Sequence, residues 1–460
     1  MIVMKFGGSS LESATAVERV AGIVRGALAR QPVVVVSAMG KTTQQLLTMG
    51  EEAASGEPRK YDRALERLHV LRKMHEHEIG ALLRTSSYGE LRQILDSHFG
   101  EMADLLEQLS ALGEFAPQSV DALSSYGERL SSCLMALAFR HFGMDTAHVD
   151  ARCVVLTDAR HKAATPLYSQ TYSRARDMIL PLISQNKVPV LGGFIGSTES
   201  GVTTTLGRGG SDFSAAIIGA GIAAEEIQIW TDVDGVMTCD LKLVPEARRV
   251  KTISFAEAAE LAYFGAKVLH PSALLPAMEK NIPVVVLNSR RPDIAGTRIV
   301  ADAAPCSSLI KAISCKSGIY IVNIRSTRML MAHGFLHRIF EIFSRAETAV
   351  DMLASSEVSV SLTIDDPARL AEICQALREF SEVSVEEDQA IVCIVGDNLR
   401  HTPGVAARAF GALQGINIRM ISQGASLLNL GFVVAARDAE KTVKLLHQEF
   451  FRGADAAAFD

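Results

Sequence analysis

The chain has 460 residues, of which 48% are apolar and 21% charged, and it carries a net charge of −6. That length exceeds one typical core and predicts several domains, while the acidic balance provides no basic footprint for nucleic acid. The seven cysteines (Cys133, Cys153, Cys239, Cys306, Cys315, Cys374, Cys393) are scattered and never spaced as metal-binding pairs, the usage expected of a reducing compartment.

In chain order, residues 2–6 read as a strand, with none of the basic, apolar and cleavage regions of a signal peptide. The longest apolar span, 213–224, is shorter than the ~18 residues that a membrane helix needs. A cytoplasmic protein with no membrane partner is expected. Apolar, β-branched runs at 33–36, 188–191, 227–230 and 284–287 read as strands buried on both faces of a parallel sheet. Helical patterns at 14–29, 173–185, 211–223 and 255–264 alternate with them, which predicts an α/β sandwich over the first ~300 residues.

Residues 44–145 break this rhythm with long amphipathic stretches at 61–83, 88–112 and 123–142, and predict a helical subdomain. Its histidines His69, His75 and His77 are expected to face solvent on a helix; the alternative, a metal site, lacks a matching acidic or cysteine cluster. Ala, Asp, Gly and Pro around 293–305 mark a linker. Beyond it, 334–343 and 404–413 share Gly, Arg and Phe at the same relative positions, and strand patterns follow each at 349–353 and 416–421. A repeat of ~70 residues predicts two small βαββαβ-like modules, whose position behind an enzyme-like domain favours regulation. The expected boundaries are 1–298 for a catalytic domain (helical subdomain about 44–145) and 299–460 for a regulatory region. Its modules are expected at about 317–388 and 389–453, with a strand near 309–314 completing the second.

Chemistry concentrates in three signals: Lys5-Phe-Gly-Gly-Ser-Ser at 5–10, Thr-Thr-Thr-Leu-Gly-Arg-Gly-Gly-Ser-Asp at 203–212, and Thr-Asp-Val-Asp-Gly at 231–235. Gly7 and Gly8 let backbone amides approach a phosphate, with a helix N-terminus expected just beyond, and Lys5 adds positive charge. Arg208 offers a planar fork for a carboxylate or phosphate. The plain structural alternative for the second signal is a glycine turn with Ser211 or Asp212 as helix cap. Two better-known motifs fail: the Walker-like ending at 37–42 would need its first Gly at Val35, and Gly219-Ala-Gly-Ile-Ala-Ala lies inside a helical pattern.

With these residues assembled, the chain resembles the aspartokinases of the amino acid kinase family, the monofunctional kind with two C-terminal ACT modules, and is most similar to the lysine-sensitive branch. The resemblance runs over nearly the whole chain, through Lys-Phe-Gly-Gly at 5–8, Ser-Tyr-Gly-Glu at 125–128, Gly-Gly-Phe-Ile-Gly at 192–196, Thr-Leu-Gly-Arg-Gly-Gly-Ser-Asp at 205–212, Trp-Thr-Asp-Val-Asp-Gly at 230–235 and Phe-Gly-Ala-Lys-Val-Leu-His-Pro at 264–271. It implies an αβα sandwich with a helical insertion followed by ACT modules. It also implies transfer of the ATP γ-phosphoryl group to the β-carboxylate of L-aspartate, the entry step to lysine, threonine and methionine synthesis.

By motif match, the resemblance puts Lys5, Gly7 and Gly8 on the transferring phosphoryl group and Lys267 near the nucleotide phosphates, with Mg²⁺ accompanying ATP and Asp212 orienting the lysines. Ser9, Thr231, Asp232 and Lys242 complete the nucleotide set. For aspartate it implies Arg208 on the α-carboxylate and Glu128 on the α-ammonium, with Ser37, Thr42 and Ser211 close by; the repeated threonine leaves open whether Thr42 or Thr43 serves. An amino-acid effector, lysine favoured and threonine open, is implied at Met329, Gly334, Phe335, Leu336, Val350, Asp351 and Glu357, in a homodimer or higher homo-oligomer built through the ACT modules. Departures from the family pattern are Ser9, Phe213, Met237, Leu241-Lys242 and Ala332. They bear on nucleotide affinity and, at Ala332, on feedback. The alternatives are another amino acid kinase, acting on glutamate, acetylglutamate or carbamate, and a non-catalytic amino-acid-binding regulator. A kinase–dehydrogenase fusion is not expected, since no dinucleotide fingerprint follows the second module.

Overall fold

The structure is a computed structural model, which describes residues 1–265, 270–303, 309–326, 333–453 and 458–460. Lys267, Met329, Ala332 and Cys306 lie outside the described residues. Contacts divide the chain into two units, Met1–Val236 with Val268–Ala303, and Met237–Lys267 with Ala304–Asp460. The sequence boundary at 298 did not anticipate that residues 237–267 group with the second unit.

The first unit is a parallel sheet of β1 (Ile2–Phe6), β2 (Pro32–Val36), β3 (Thr146–Val149), β4 (Val188–Gly192), β7 (Glu226–Thr231) and β9 (Val284–Asn288), with β10 (Thr297–Val300) antiparallel to β9. Their order is β3-β4-β2-β1-β7-β9-β10. The short pair β5 (Ile195–Ser197) and β6 (Thr203–Thr205) forms a separate hairpin. Every residue of β1, β2, β4 and β9 is buried, as the continuous β-branched runs require of strands covered on both faces.

Helices α1 (Ala14–Gly26), α6 (Ala151–Val154), α7 (Tyr168–Ser184), α8 (Gly210–Gly221) and α10 (Pro271–Glu279) connect these strands. The predicted helical subdomain is α2 (Thr42–Ala53), α3 (Pro58–Gly80), α4 (Tyr88–Leu112) and α5 (Pro117–His141). On α4 the buried residues Leu91, Leu95, Phe99, Met102, Leu106 and Leu109 make a single stripe, the mark of a helix with one face to water. By contrast α5 is buried nearly all round between residues 123 and 139, so its polar residues must find partners inside.

His75 corrects one expectation: it is fully buried on α3. Its Nδ1 lies 2.9 Å from the Leu71 carbonyl and its ring meets Phe99 edge-on. Burial pulls its pKa down to about 4, so it is neutral in the core.

In the second unit, β8 (Thr252–Ser254) leads into α9 (Phe255–Tyr263), closed by a capping box between Ser254 and Glu257. The rest is an antiparallel sheet, β12-β13-β11-β14-β16-β15. Its strands are β11 (Ile310–Arg325), β12 (Leu353–Ser355), β13 (Ser359–Ile364), β14 (Glu382–Gly396), β15 (Ile418–Gln423) and β16 (Asn429–Ala435), covered by α11 (Phe335–Arg345), α12 (Leu370–Arg378), α13 (Val405–Ala412) and α14 (Ala436–Phe451). The repeat is visible in its caps: Gly334 (φ 82°) and Gly404 (φ 84°) hold the N-cap positions of α11 and α13 in the left-handed region. The modules are not beads on a string. β11 pairs with β14 along both, with Val322 opposite Val385 in the first module and Ile313 opposite Ile394 in the second. The strand expected near 309–314 is the first half of this long β11. The strand expected at 349–353 forms later, as β12 from Leu353.

Candidate active site

The strands β4, β2, β1 and β7 are mutually parallel, so their carboxyl ends share one edge of the sheet. The chain proceeds from β1 to β2 and β4 on one side, then returns to β7 on the other. Open α/β sheets bind ligands outside the strand ends at such a reversal. Here those ends carry Lys5 to Ser9, Ser37, Gly192-Gly193-Phe194 and Thr231-Asp232.

A cavity of about 310 Å³ opens there, walled by Lys5, Thr43, Glu128, Phe194, Ser211, Asp212 and glycines of the 207–210 turn. The Lys5 ammonium lies 2.6 Å from Asp212 Oδ1, both side chains being largely buried. The pair is a charge contact rather than an aligned hydrogen bond. Asp212 sits in the first turn of α8, where the helix dipole favours an anion. Gly209, not Ser211 or Asp212, is the cap of that helix, in the left-handed region at φ 69°. Both side chains are thereby left facing the cavity.

Glu128 is the most unusual group. Its side chain belongs to the buried face of α5; one carboxyl oxygen accepts the Ala38 N–H at 3.3 Å, and the other, Oε2, has no partner. Burial pushes its pKa up to about 8, against the Ala38 amide and the Lys5 charge, which pull it down. A neutral buried carboxyl with a free oxygen on an open cavity is a receptor for a cation.

The glycine loop differs in detail from expectation. Gly8 to Ser10 form a 3-10 turn, and α1 begins only at Ala14, capped by the Ser13 side chain. The Gly7 N–H, expected to face a phosphate, instead donates to the Trp230 carbonyl at 3.2 Å. A Cβ on Gly8 would stand 2.7 Å from the Ala38 carbonyl oxygen, which explains glycine there by close approach. Of the paired threonines, Thr43 lines the cavity while Thr42 is turned into the core, its hydroxyl donating to the Met39 carbonyl at 2.7 Å. Of the two threonines that the motif left open, the structure therefore brings Thr43, and not Thr42, to the cavity wall.

Ser37 is half-buried and its N–H donates to Phe6 O; its side chain is not among the cavity walls. Ser9 is half-buried. Arg208 is exposed between the cavity glycines Gly207 and Gly209, without an ion pair among the described residues. At the end of β7 the Thr231 hydroxyl donates to Asp232 Oδ1 at 3.2 Å. Lys242 belongs to the second unit, exposed, with its N–H on Asp240 Oδ1 at 2.9 Å.

Of the effector residues, Gly334, Phe335 and Leu336 open α11, Val350 precedes β12, and Glu357 is exposed between β12 and β13. The Asp351 side chain is buried and already holds a cation. Lys316 Nζ lies 3.0 Å from its Oδ1, 2.8 Å from Asp365 Oδ2 and 5.6 Å from the centre of the Tyr263 ring.

Sequence reasoning singled out no role for Asp121, or for Asp234 beyond its place in the 231–235 signal. Asp234 accepts from Asn288 Nδ2 at 2.6 Å and pairs with Arg291. Asp121 is fully buried on α5, seven residues before Glu128; that helical spacing on one face was the available signal.

Residues 1–288 match the model of the amino acid kinase family, and residues 392–450 match that of the ACT domain. Aspartokinase 1, chloroplastic, of Arabidopsis thaliana is 36% identical over 467 residues, spanning 98% of this chain and 80% of its own. Lysine-sensitive aspartokinase 3 of Escherichia coli is 36% identical over 464 residues, spanning 98% of this chain and 99% of its own. The crystal structure of E. coli aspartokinase III in complex with aspartate and ADP superposes with a TM-score of 0.85 at 35% identity, over 98% of this chain and 100% of that one. With near-complete coverage of both sequence and fold, the chain belongs to the amino acid kinase family and, within it, to the aspartokinases.

Proposed function

We propose that the cavity at the strand ends holds L-aspartate, with Glu128 on its ammonium group and Arg208 on its α-carboxylate, while Lys5 and Gly8 meet the γ-phosphoryl group of ATP. A β-carboxylate oxygen attacks the γ-phosphorus and the bond to the β,γ-bridging oxygen breaks. The products are 4-phospho-L-aspartate and ADP. The attacking carboxylate, of reference pKa ~3.9, is already ionised at neutral pH and needs no base. Charge repulsion is the barrier, so catalysis rests on cations and on positioning.

The observation that carries this reading is the pair of opposite devices in one cavity: an ammonium held ready by Asp212, and a buried carboxyl with an unpartnered oxygen. Arrival of a substrate ammonium would ionise Glu128, so binding releases a proton below about pH 8. Among the described residues no cluster of three acidic, His or Cys side chains is placed to hold a metal ion, so Mg²⁺ would enter on the ATP phosphates, as is usual for this ion. We assign the nucleotide to Thr231, Asp232 and Ser9, which share the first unit, and to Lys242 and Lys267 by motif match alone.

No helix among the described residues is long and apolar enough to cross a membrane, and a cytoplasmic, ACT-linked homo-oligomer is proposed. Feedback by lysine is supported by the lysine-sensitive relative and by the exposed acid Glu357, while Asp351 would have to exchange Lys316 for the effector. ADP release from MgATP with L-aspartate against L-glutamate, repeated with lysine and with threonine, tests the whole reading. Aspartate-dependent turnover suppressed by lysine and abolished in its lysine response by Asp351→Ala with Glu357→Ala is expected. Glutamate-dependent turnover would overturn the substrate assignment, and inhibition that survives the double substitution would overturn the effector site.

A further inference from the structure

We propose that Asp121 is the positioning residue that sets the spacing between the two ends of the amino-acid site, Glu128 and the Gly207-Arg208 turn. The proposal rests on the reading that this cavity holds the amino-acid substrate. Asp121 is a carboxylate with no exposure to solvent, and it accepts from three separate groups. Thr205 Oγ1 donates to Oδ1 at 2.6 Å. The Lys162 N–H reaches Oδ1 at 3.0 Å and Oδ2 at 3.1 Å. His161 Nδ1 lies 2.7 Å from Oδ2, its side chain 19% exposed.

These partners belong to two separate pieces of chain beside α5. Thr205 ends β6 and stands three residues before Arg208. His161 and Lys162 lie in the loop between α6 and α7. The loop and strand are also tied to each other, Ala164 N–H donating to the Thr205 carbonyl at 2.9 Å. Gly207 rests on this loop: it has φ 76°, and a Cβ there would stand 3.2 Å from the Lys162 carbonyl oxygen. Asp121 therefore binds both the strand that delivers Arg208 and the loop on which the turn sits.

Asp121 and Glu128 are seven residues apart on one continuous helix, about two turns or ~10 Å along the same face. The helix thus acts as a ruler, with Glu128 at one mark and the anchor of the Arg208 turn at the other. A carboxylate suits this task because its two oxygens offer about four acceptor positions, which the three partners engage together.

The test is initial-rate kinetics on the full chain, varying L-aspartate and MgATP separately, for Asp121→Asn and Thr205→Val. Asp121→Asn is expected to raise KM for aspartate about tenfold or more and to leave KM for MgATP within twofold. Thr205→Val, which keeps the shape and removes one donor, is expected to move the aspartate KM the same way by less, and it decides the matter should Asp121→Asn not fold. A fall in thermal midpoint with both KM values unchanged, or an equal rise in both, would overturn the positioning role. Arg208→Ala and Glu128→Gln separate the two readings. If they leave the aspartate KM unchanged the site itself is misassigned, whereas if they raise it and the Asp121 and Thr205 variants do not, only the positioning role fails.

Discussion

Each unit of the molecule contains a lysine clamped to an aspartate, and the two pairs are built for opposite ends. Lys5 has a single carboxylate, Asp212, and the pair opens onto a 310 Å³ cavity beside a neutral glutamic acid. Lys316 lies between two carboxylates, Asp351 and Asp365, with the Tyr263 ring beside it. The first ammonium has one carboxylate partner and lines a cavity, so it can take an anionic ligand. The second is saturated, and its pKa is raised, since its two aspartates outweigh the burial that opposes them. What distinguishes the lysine proposed for catalysis from the one in the second unit is the number of partners and the space beside it, not burial, because both side chains are largely buried.

The largest expected effect tests the open pair. Lys5→Met should lower kcat on the order of a hundred- to a thousandfold, the range for losing one preorganised donor to a developing charge, measured as ADP release with saturating MgATP and aspartate. Activity within tenfold of the parent would break the comparison.

Next comes Glu128. Its folded pKa of about 8 stands above the ordinary carboxyl value, so it stabilises the fold below that ordinary value and loses this contribution as pH rises toward 8, where the folded state must hold a buried charge. Glu128→Gln should therefore unfold at higher temperature than the parent at pH 8 and converge with it near pH 5, while its aspartate KM rises about tenfold. In the parent, the aspartate KM should fall as pH rises from 6 to 8. A parent more stable than the variant at pH 8 would reverse the assignment.

The closed pair gives a smaller and different signal. Lys316→Met should cost about 2 kcal/mol in urea denaturation, since it strands a buried Asp351, discounted for the partial exposure of Asp365. Uninhibited kcat should stay within twofold. Loss of turnover without loss of stability would show that Lys316 is no mere structural counter-charge. Smallest is the contrast between the paired threonines. Thr43→Val should shift the aspartate KM a few-fold, whereas Thr42→Val should lower stability by about 1 kcal/mol through its lost bond to the Met39 carbonyl.

Elements were legible wherever a local pattern sufficed. The β-branched run at 33–36 became β2 because its composition states that both faces are covered, and the matched glycines at 334 and 404 became left-handed caps because only that residue sits there without strain. Within the site, Lys5 and Asp212 were visible by motif, yet their mutual contact spans two hundred residues of chain and no local signal encodes it. His75 misled because an amphipathic stripe rich in charge does not reveal which of three histidines the stripe turns inward.

By itself the sequence determined the class of each segment, the helical insertion, the duplicated regulatory modules and the family to which the chain belongs, since composition, period and motif are properties of neighbours along the chain. Only the tertiary structure decided which of Thr42 and Thr43 faces the cavity, that Glu128 is neutral with a free oxygen, that Asp121 joins three distant groups, and that Asp351 is already held by Lys316. Those outcomes depend on desolvation and on contacts between segments far apart in sequence, and both arise only when the chain has folded.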